Sequence, residues 1–243
     1  MRVLAAALLC LAALGGCDKV DNSGRPATSV EFPQPYRPVS ALGSNQFSTE
    51  VERDSVNEAV TVMDLAQIEP GMTVADIGAG EGYYTVRLAE RVGAKGRVLA
   101  QDIDRAALQR LGSRVERERL DNVSIKLGKV DNPRLPDASF DRVFLVHMYH
   151  EVGEPYAFLW RLRPALSKGG RVIVVDTDRP TDQHGIPPAL LFCEFGTVGF
   201  RLTEFVRKPE LQGYYAQFEA IGDRPAAGSI RPCGNKGKQA TGA

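Results

Sequence analysis

The sequence predicts an α/β fold built on a mostly parallel sheet, and three observations carry that expectation. Residues 73–82, TVADIGAGEG, read as a buried strand running into a glycine turn, and the YYTVRLAERV that follows reads as a helix. Further short apolar runs at 97–101, 123–127, 142–146 and 171–176 alternate with stretches of helical periodicity. A chain of 243 residues with 43% apolar residues suits one domain with a sizeable core plus short appendages.

The first strand and its turn are the most informative stretch. Val74, Ala75 and Ile77 form the apolar run of a central parallel strand. Gly78, Gly80 and Gly82 then remove three side chains where the chain must turn and a ligand must touch backbone. Tyr84, Leu88, Ala89 and Val92 follow at helical spacing, and Gly93 is the stop. The turn is G-x-G-x-G, with Tyr83 where a dinucleotide fingerprint would place its third glycine. Asp76 stands two residues before the first glycine. Its carboxylate would repel a diphosphate and suit an ammonium or sulfonium group.

Together D-I-G-A-G-E-G resembles motif I of the class I S-adenosylmethionine-dependent methyltransferases. That resemblance implies S-adenosylmethionine as cofactor. It also implies a Rossmann-like, doubly wound, seven-stranded sheet of order 3-2-1-4-5-7-6 with strand 7 antiparallel. Asp76, Gly78, Ala79, Gly80, Gly82 and Tyr83 are then expected around the cofactor.

The remaining elements are read in order. Residues 50–67 are expected as one helix with Val56, Val60 and Met63 as its apolar stripe, stopped by Glu69-Pro70-Gly71. In the family such a helix lies across the cofactor site, so Glu52 and Arg53 approach the ligand or stay solvated. The second strand, 97–101, ends at Asp102, about 20 residues past the glycines, where an acid commonly takes ribose hydroxyls. Ile103 is placed beside the same ligand, and Asp104 is a competing acid or a helix cap. Residues 106–120 form a charged amphipathic helix. After the third strand, 123–127, the loop 128–131 would meet adenine in the family. Lys129 holds the usual acidic position there, and Asp131 is the nearer match, either for that role or as a turn residue.

The run Pro136-Asp-Ala-Ser-Phe-Asp141 and the following HMYHEV at 147–152 resemble the "methyltransferase type 11" subfamily, as does the helix ended by Lys168-Gly169-Gly170. Resemblance extends over about residues 50–176. In an open α/β sheet ligands bind beyond the carboxyl ends of the strands, which puts Tyr149, His150 and Glu151 at the site. His150 suits a general base, Tyr149 a cation–π wall for the sulfonium, and Glu151 a partner orienting His150. His147 either touches the cofactor or packs into the sheet. Asp176 and Asp178 are candidates for the acceptor pocket, and His184 for a lid loop. A helix at 187–198 and strands at 200–206 and 213–218 complete the pattern, with a flexible tail from 222.

Other classes are disfavoured. No G-x-S-x-G elbow or P-loop is present, and a net charge of zero gives no support for nucleic-acid binding. The three histidines lack metal-ligand spacing, so no metal is expected. The exit of strand four lacks the run typical of DNA amino-methyltransferases, and the cysteines fit the arsenic methyltransferases poorly.

Residues 1–16 carry a short positive start, an apolar run and a small-residue site, as in a secretory signal. Leu14-Gly15-Gly16-Cys17 resembles a bacterial lipobox, which implies lipidation of Cys17 and anchoring at the cell envelope, facing the periplasm. Residues 17–48 are then a flexible tether, though Phe32, Tyr36 and Phe47 offer apolar groups to pack back on a domain spanning 49–221. Cys193 and Cys233 form a disulfide or remain thiols. The expected function is methyl transfer to a small-molecule acceptor; the alternative is an inactive, envelope-anchored binding or scaffold protein with the same fold.

Overall fold

The computed structural model describes residues 22–41, 49–208, 211 and 213–234. The signal-like residues 1–16, Cys17 and Phe47 lie outside the described residues. Seven strands form one sheet: β1 (Thr73–Ile77), β2 (Arg97–Asp102), β3 (Val123–Leu127), β4 (Phe140–Val146), β5 (Leu166–Asp176), β6 (Phe200–Lys208) and β7 (Gly213–Ala220). Their order is β3-β2-β1-β4-β5-β7-β6. The first five run parallel, and β7 is antiparallel to both β5 and β6. This is the Rossmann-like arrangement expected.

Alternation along the strands sends side chains to two helical layers. Ala75, Ile77, Val143, Leu145, Val172 and Val174 face Tyr156 and Leu159 of helix α5 (Pro155–Leu162) and Leu191 and Phe195 of α6 (Pro188–Thr197). Val74, Phe144, Ile173 and Val175 face Val62 and Met63 of α2 (Glu58–Leu65) and Tyr84 and Leu88 of α3 (Tyr83–Val92). Helix α4 (Arg105–Glu118) packs against β2 and β3, and its N-terminus is capped by Asp104, which accepts from the Ala106 amide at 2.8 Å. Among the described residues no helix is long and apolar enough to cross a membrane.

Three expectations are corrected. The helix at 50–67 is two helices, α1 (Glu50–Ser55) and α2, broken where Asn57 takes a left-handed φ of 53°. A Thr49–Glu52 capping box starts the first, so Glu52 serves its own helix end rather than a ligand. The break rephases the apolar stripe: Val56 and Val60 are exposed, while Ala59, Val62, Met63 and Ala66 are buried. Further on, Gly169 and Gly170 do not end a helix. They lie inside β5, after α5 has closed in a 3-10 turn at Arg163–Ala165.

The third difference concerns both ends of the chain. Residues 22–41, expected as a tether, are fastened to the domain. Arg25 pairs with Glu154 at 2.7 Å, and Arg37 with Glu194 at 2.8 Å, both largely buried. Ser40 Oγ donates to the Thr181 carbonyl at 2.6 Å, and Phe32 is buried edge-on to Trp160. The carboxyl-terminal residues to 234 are also held. Cys193 and Cys233 form a disulfide, Trp160 donates to the Pro225 carbonyl, and the Cys233 amide donates to the Tyr156 hydroxyl.

Candidate functional site

Because β1 to β5 are parallel, their carboxyl ends share one edge of the sheet, and the expected site residues gather there. The glycine turn leaves β1 with φ of 70° at Gly78, 54° at Gly80 and 91° at Gly82, a region that L side chains avoid. The Gly78 and Ala79 amides donate to the Gln101 carbonyl at 2.8 and 3.0 Å. A Cβ on Gly78 would lie 2.9 Å from Met148 Cγ, and one on Gly82 would lie 2.4 Å from Leu111 Cδ1. Around Gly80 nothing lies within 4 Å of such an atom, so bare backbone faces open space. Gly82→Ala is expected to lose about 1–2 kcal/mol from the left-handed backbone, more if Leu111 cannot move, read from the urea midpoint.

Asp102 closes the turn from the next strand. Its Oδ2 accepts from the Gly80 amide and its Oδ1 from the Asp104 amide, both at 2.9 Å. Each oxygen keeps a second lone pair for a diol. Ile103, half-buried, follows between the two acids. Asp76 is 3% exposed and accepts from Thr85 Oγ1 at 2.6 Å. Burial pushes its carboxyl up to about 6, against the Thr85 hydrogen bond and with the Asp102 charge adding to the rise. A buried acid in this state gains from a cationic partner.

At the same edge stands Glu58, the first residue of α2. Glu58 meets Arg53 at 2.6 Å, the Tyr84 hydroxyl at 3.0 Å and His147 Nε2 at 3.6 Å. Burial alone would raise the Glu58 carboxyl, but hydrogen bonds from His147 and Arg53 outweigh it and hold it down to about 2. The depressed value means that Glu58 stabilises the fold above its ordinary 4.5 and loses that contribution as pH falls toward about 2. Acid unfolding is therefore expected to be shallower across that window in Glu58→Gln than in the parent. His147, with a left-handed φ of 52°, is turned toward Glu58.

Several expected ligand residues have partners within the protein. The Tyr83 ring lies between the Arg53 and Arg87 guanidiniums at 3.8 and 3.9 Å, and its hydroxyl donates to Asp54. Asp131 is 2% exposed, and its Oδ2 accepts from Arg161 at 2.7 Å, Thr28 at 2.5 Å and Ser29 at 3.0 Å. It ties the amino-terminal segment to α5. Tyr149 is fully buried against Phe195 and donates its hydroxyl to Glu194 at 2.9 Å. Asp178 is spent on Arg207 at 2.8 Å.

His150 is fully buried, and its Nδ1 lies 2.9 Å from Asp176 Oδ1. Asp176 therefore orients the ring. The His184 ring meets that of His150 edge-on at 5.7 Å. One ligand atom from each of His150, Glu151 and His184 lies within 4.8 Å of the others. Two histidines and an acid thus assemble despite a linear spacing that gives no sign of it. Arg37 and Glu194, which back Tyr149, also left no sequence signal; they are ordinary surface types in unremarkable segments.

The methyltransferase domain family matches residues 68–191 of the 243. A demethylmenaquinone methyltransferase from Geobacillus is 29% identical over 119 residues, 49% of this chain and 51% of its own length. An arsenite methyltransferase from Halobacterium salinarum is 26% identical over 179 residues, 65% of this chain and 45% of its own. The chain spans about half the length of these curated relatives. Among solved structures, an S-adenosylmethionine-dependent methyltransferase from Aquifex aeolicus superposes with a TM-score of 0.62 at 23% identity, covering 69% of this chain and 90% of that one. The [4+2]-cyclase SpnF gives 0.61 at 14% identity, covering 78% and 89%. At these identities the likeness is one of fold alone. From the matched stretch and the sheet order, the chain belongs to the methyltransferase domain family and carries the class I S-adenosylmethionine-dependent methyltransferase fold.

Proposed function

We propose that the chain transfers a methyl group from S-adenosylmethionine to a small-molecule acceptor at the bacterial envelope, anchored through Cys17. One observation carries the cofactor half. A buried Asp76 lies at the end of β1, directly before a turn whose Gly80 backbone faces open space and is pinned by Asp102. Those residues fit the group: Asp76 for its ammonium, the Gly80 edge for its chain, and Asp102 for its ribose hydroxyls. Bound there, the cofactor supplies an electrophilic methyl on a sulfonium. The chain's own task is alignment, which can supply a large part of the barrier reduction. His150, Asp176 and Glu151, at the ends of β4 and β5, are assigned to the acceptor side. The Cys193–Cys233 disulfide supports an oxidising compartment, in keeping with the signal-like residues 1–16.

Calorimetric titration of S-adenosylmethionine into the full chain tests this. Binding that weakens in Asp102→Ala is expected; no heat, or heat unchanged in that variant, overturns it. A second reading, binding without turnover, is favoured by the engagement of Asp131 with Arg161, Thr28 and Ser29. Labelled product from a single-turnover incubation with cell extract excludes it.

A further inference from the structure

We propose that His150, Glu151 and His184 bind a divalent transition-metal ion, with zinc the simplest occupant. Their ligand atoms already lie within 4.8 Å of one another, against about 3.4 Å between neighbouring ligands around a tetrahedral zinc. A side-chain rotation closes that gap. Two imidazoles and one carboxylate form a set that takes zinc or ferrous iron and leaves positions open for another ligand.

Two further features are those of a built site. The first is Asp176, fully buried at the end of β5 and 2.9 Å from His150 Nδ1. A carboxylate on Nδ1 holds the proton there and so leaves the lone pair on Nε2, the arrangement that commonly supports a metal-bound histidine. The second is the loop that delivers His184. His184 holds a left-handed φ of 53°, and its amide donates to Ser40 Oγ at 3.0 Å. The same hydroxyl grips the Thr181 carbonyl, and the Ile186 amide returns to the Thr177 carbonyl at 2.9 Å. A Cβ on Gly185 would lie 2.5 Å from the Thr177 carbonyl oxygen, so the loop closes tightly. These contacts fix the loop that carries His184.

His150 is fully buried while Glu151 and His184 are partly exposed, so an ion between the three would extend the chemistry of the buried pair toward the acceptor side. On the methyl-transfer reading, on which this consequence alone rests, the open positions suit an acceptor oxygen such as a hydroxyl, whose acidity the ion raises.

The test uses tag-free full chain stripped with chelator and titrated with zinc chloride by calorimetry, and with cobalt(II) by absorption. One equivalent is expected to bind, with visible cobalt bands. His184→Ala and Glu151→Gln remove most of the affinity, and Asp176→Asn weakens it about 10- to 100-fold. His147→Ala, outside the cluster, leaves it unchanged. Since His184 lies in a surface loop, its variant should fold; circular dichroism checks this. No stoichiometric binding, or binding that survives in folded His184→Ala, overturns the proposal. S-adenosylmethionine titrated into the stripped chain reports the cofactor half separately, so the two readings fail independently.

Discussion

Replacing Cys193 and Cys233 together by serine is expected to lower the unfolding free energy by about 4 kcal/mol. The bond joins positions 40 residues apart, and the chain-entropy relation for a loop of that size gives about this value at 25 °C. The closed loop contains β6 and β7, the antiparallel pair that completes the sheet. Without the bond the segment from 221 to 234 keeps the Trp160–Pro225 and Tyr156–Cys233 backbone hydrogen bonds, which are weak individually. Guanidinium unfolding of the parent with and without reductant, and of the double variant, measures the loss. A change below about 1 kcal/mol would show that the loop is held by packing alone. The same number bears on production: in a reducing cytosol this protein forgoes a large share of the about 5–15 kcal/mol that domains usually possess.

Asp76→Asn is expected to move stability and binding in opposite directions. The carboxyl is raised from 3.8 to about 6, so at pH 7.5 the folded chain bears an ionised group that burial disfavours. Two pKa units correspond to about 3 kcal/mol. The native state binds the extra proton, so this cost is absent below pH 3.8, grows as pH rises, and is complete above about 6. The asparagine escapes it and still accepts from Thr85, so its unfolding midpoint should rise at pH 7.5 and match the parent near pH 4. Its affinity for a cationic ligand should fall at least tenfold. In the parent, affinity should drop as pH falls below about 6, where Asp76 takes up its proton. A variant that is both more stable and unaltered in binding would separate Asp76 from the ligand.

The sheet was legible because each strand announces itself locally. Val74, Ala75 and Ile77 are apolar, the glycines end the strand, and Asp102 falls where the spacing puts it. Side-chain direction was not legible. Tyr149 and His150 are neighbours after β4, yet the 3-10 turn at Tyr149–Glu151 sends one ring to Glu194 and the other to Asp176. Nothing local distinguishes them. Asn57 breaks a helix without proline or glycine, since asparagine tolerates the left-handed conformation it takes here. His184 lies 34 positions beyond His150, so only the folded chain brings the two together.

The ion pairs made by residues 22–41 also set how far this protein can be trimmed. A fragment begun at residue 49 would strip Arg25 from Glu154 and Arg37 from Glu194 and remove the segment that covers both acids. Where an acid stays buried, losing its partner costs about 3–5 kcal/mol. Recombinant versions intended for crystals or assays should therefore start upstream of Asn22 and run past Cys233.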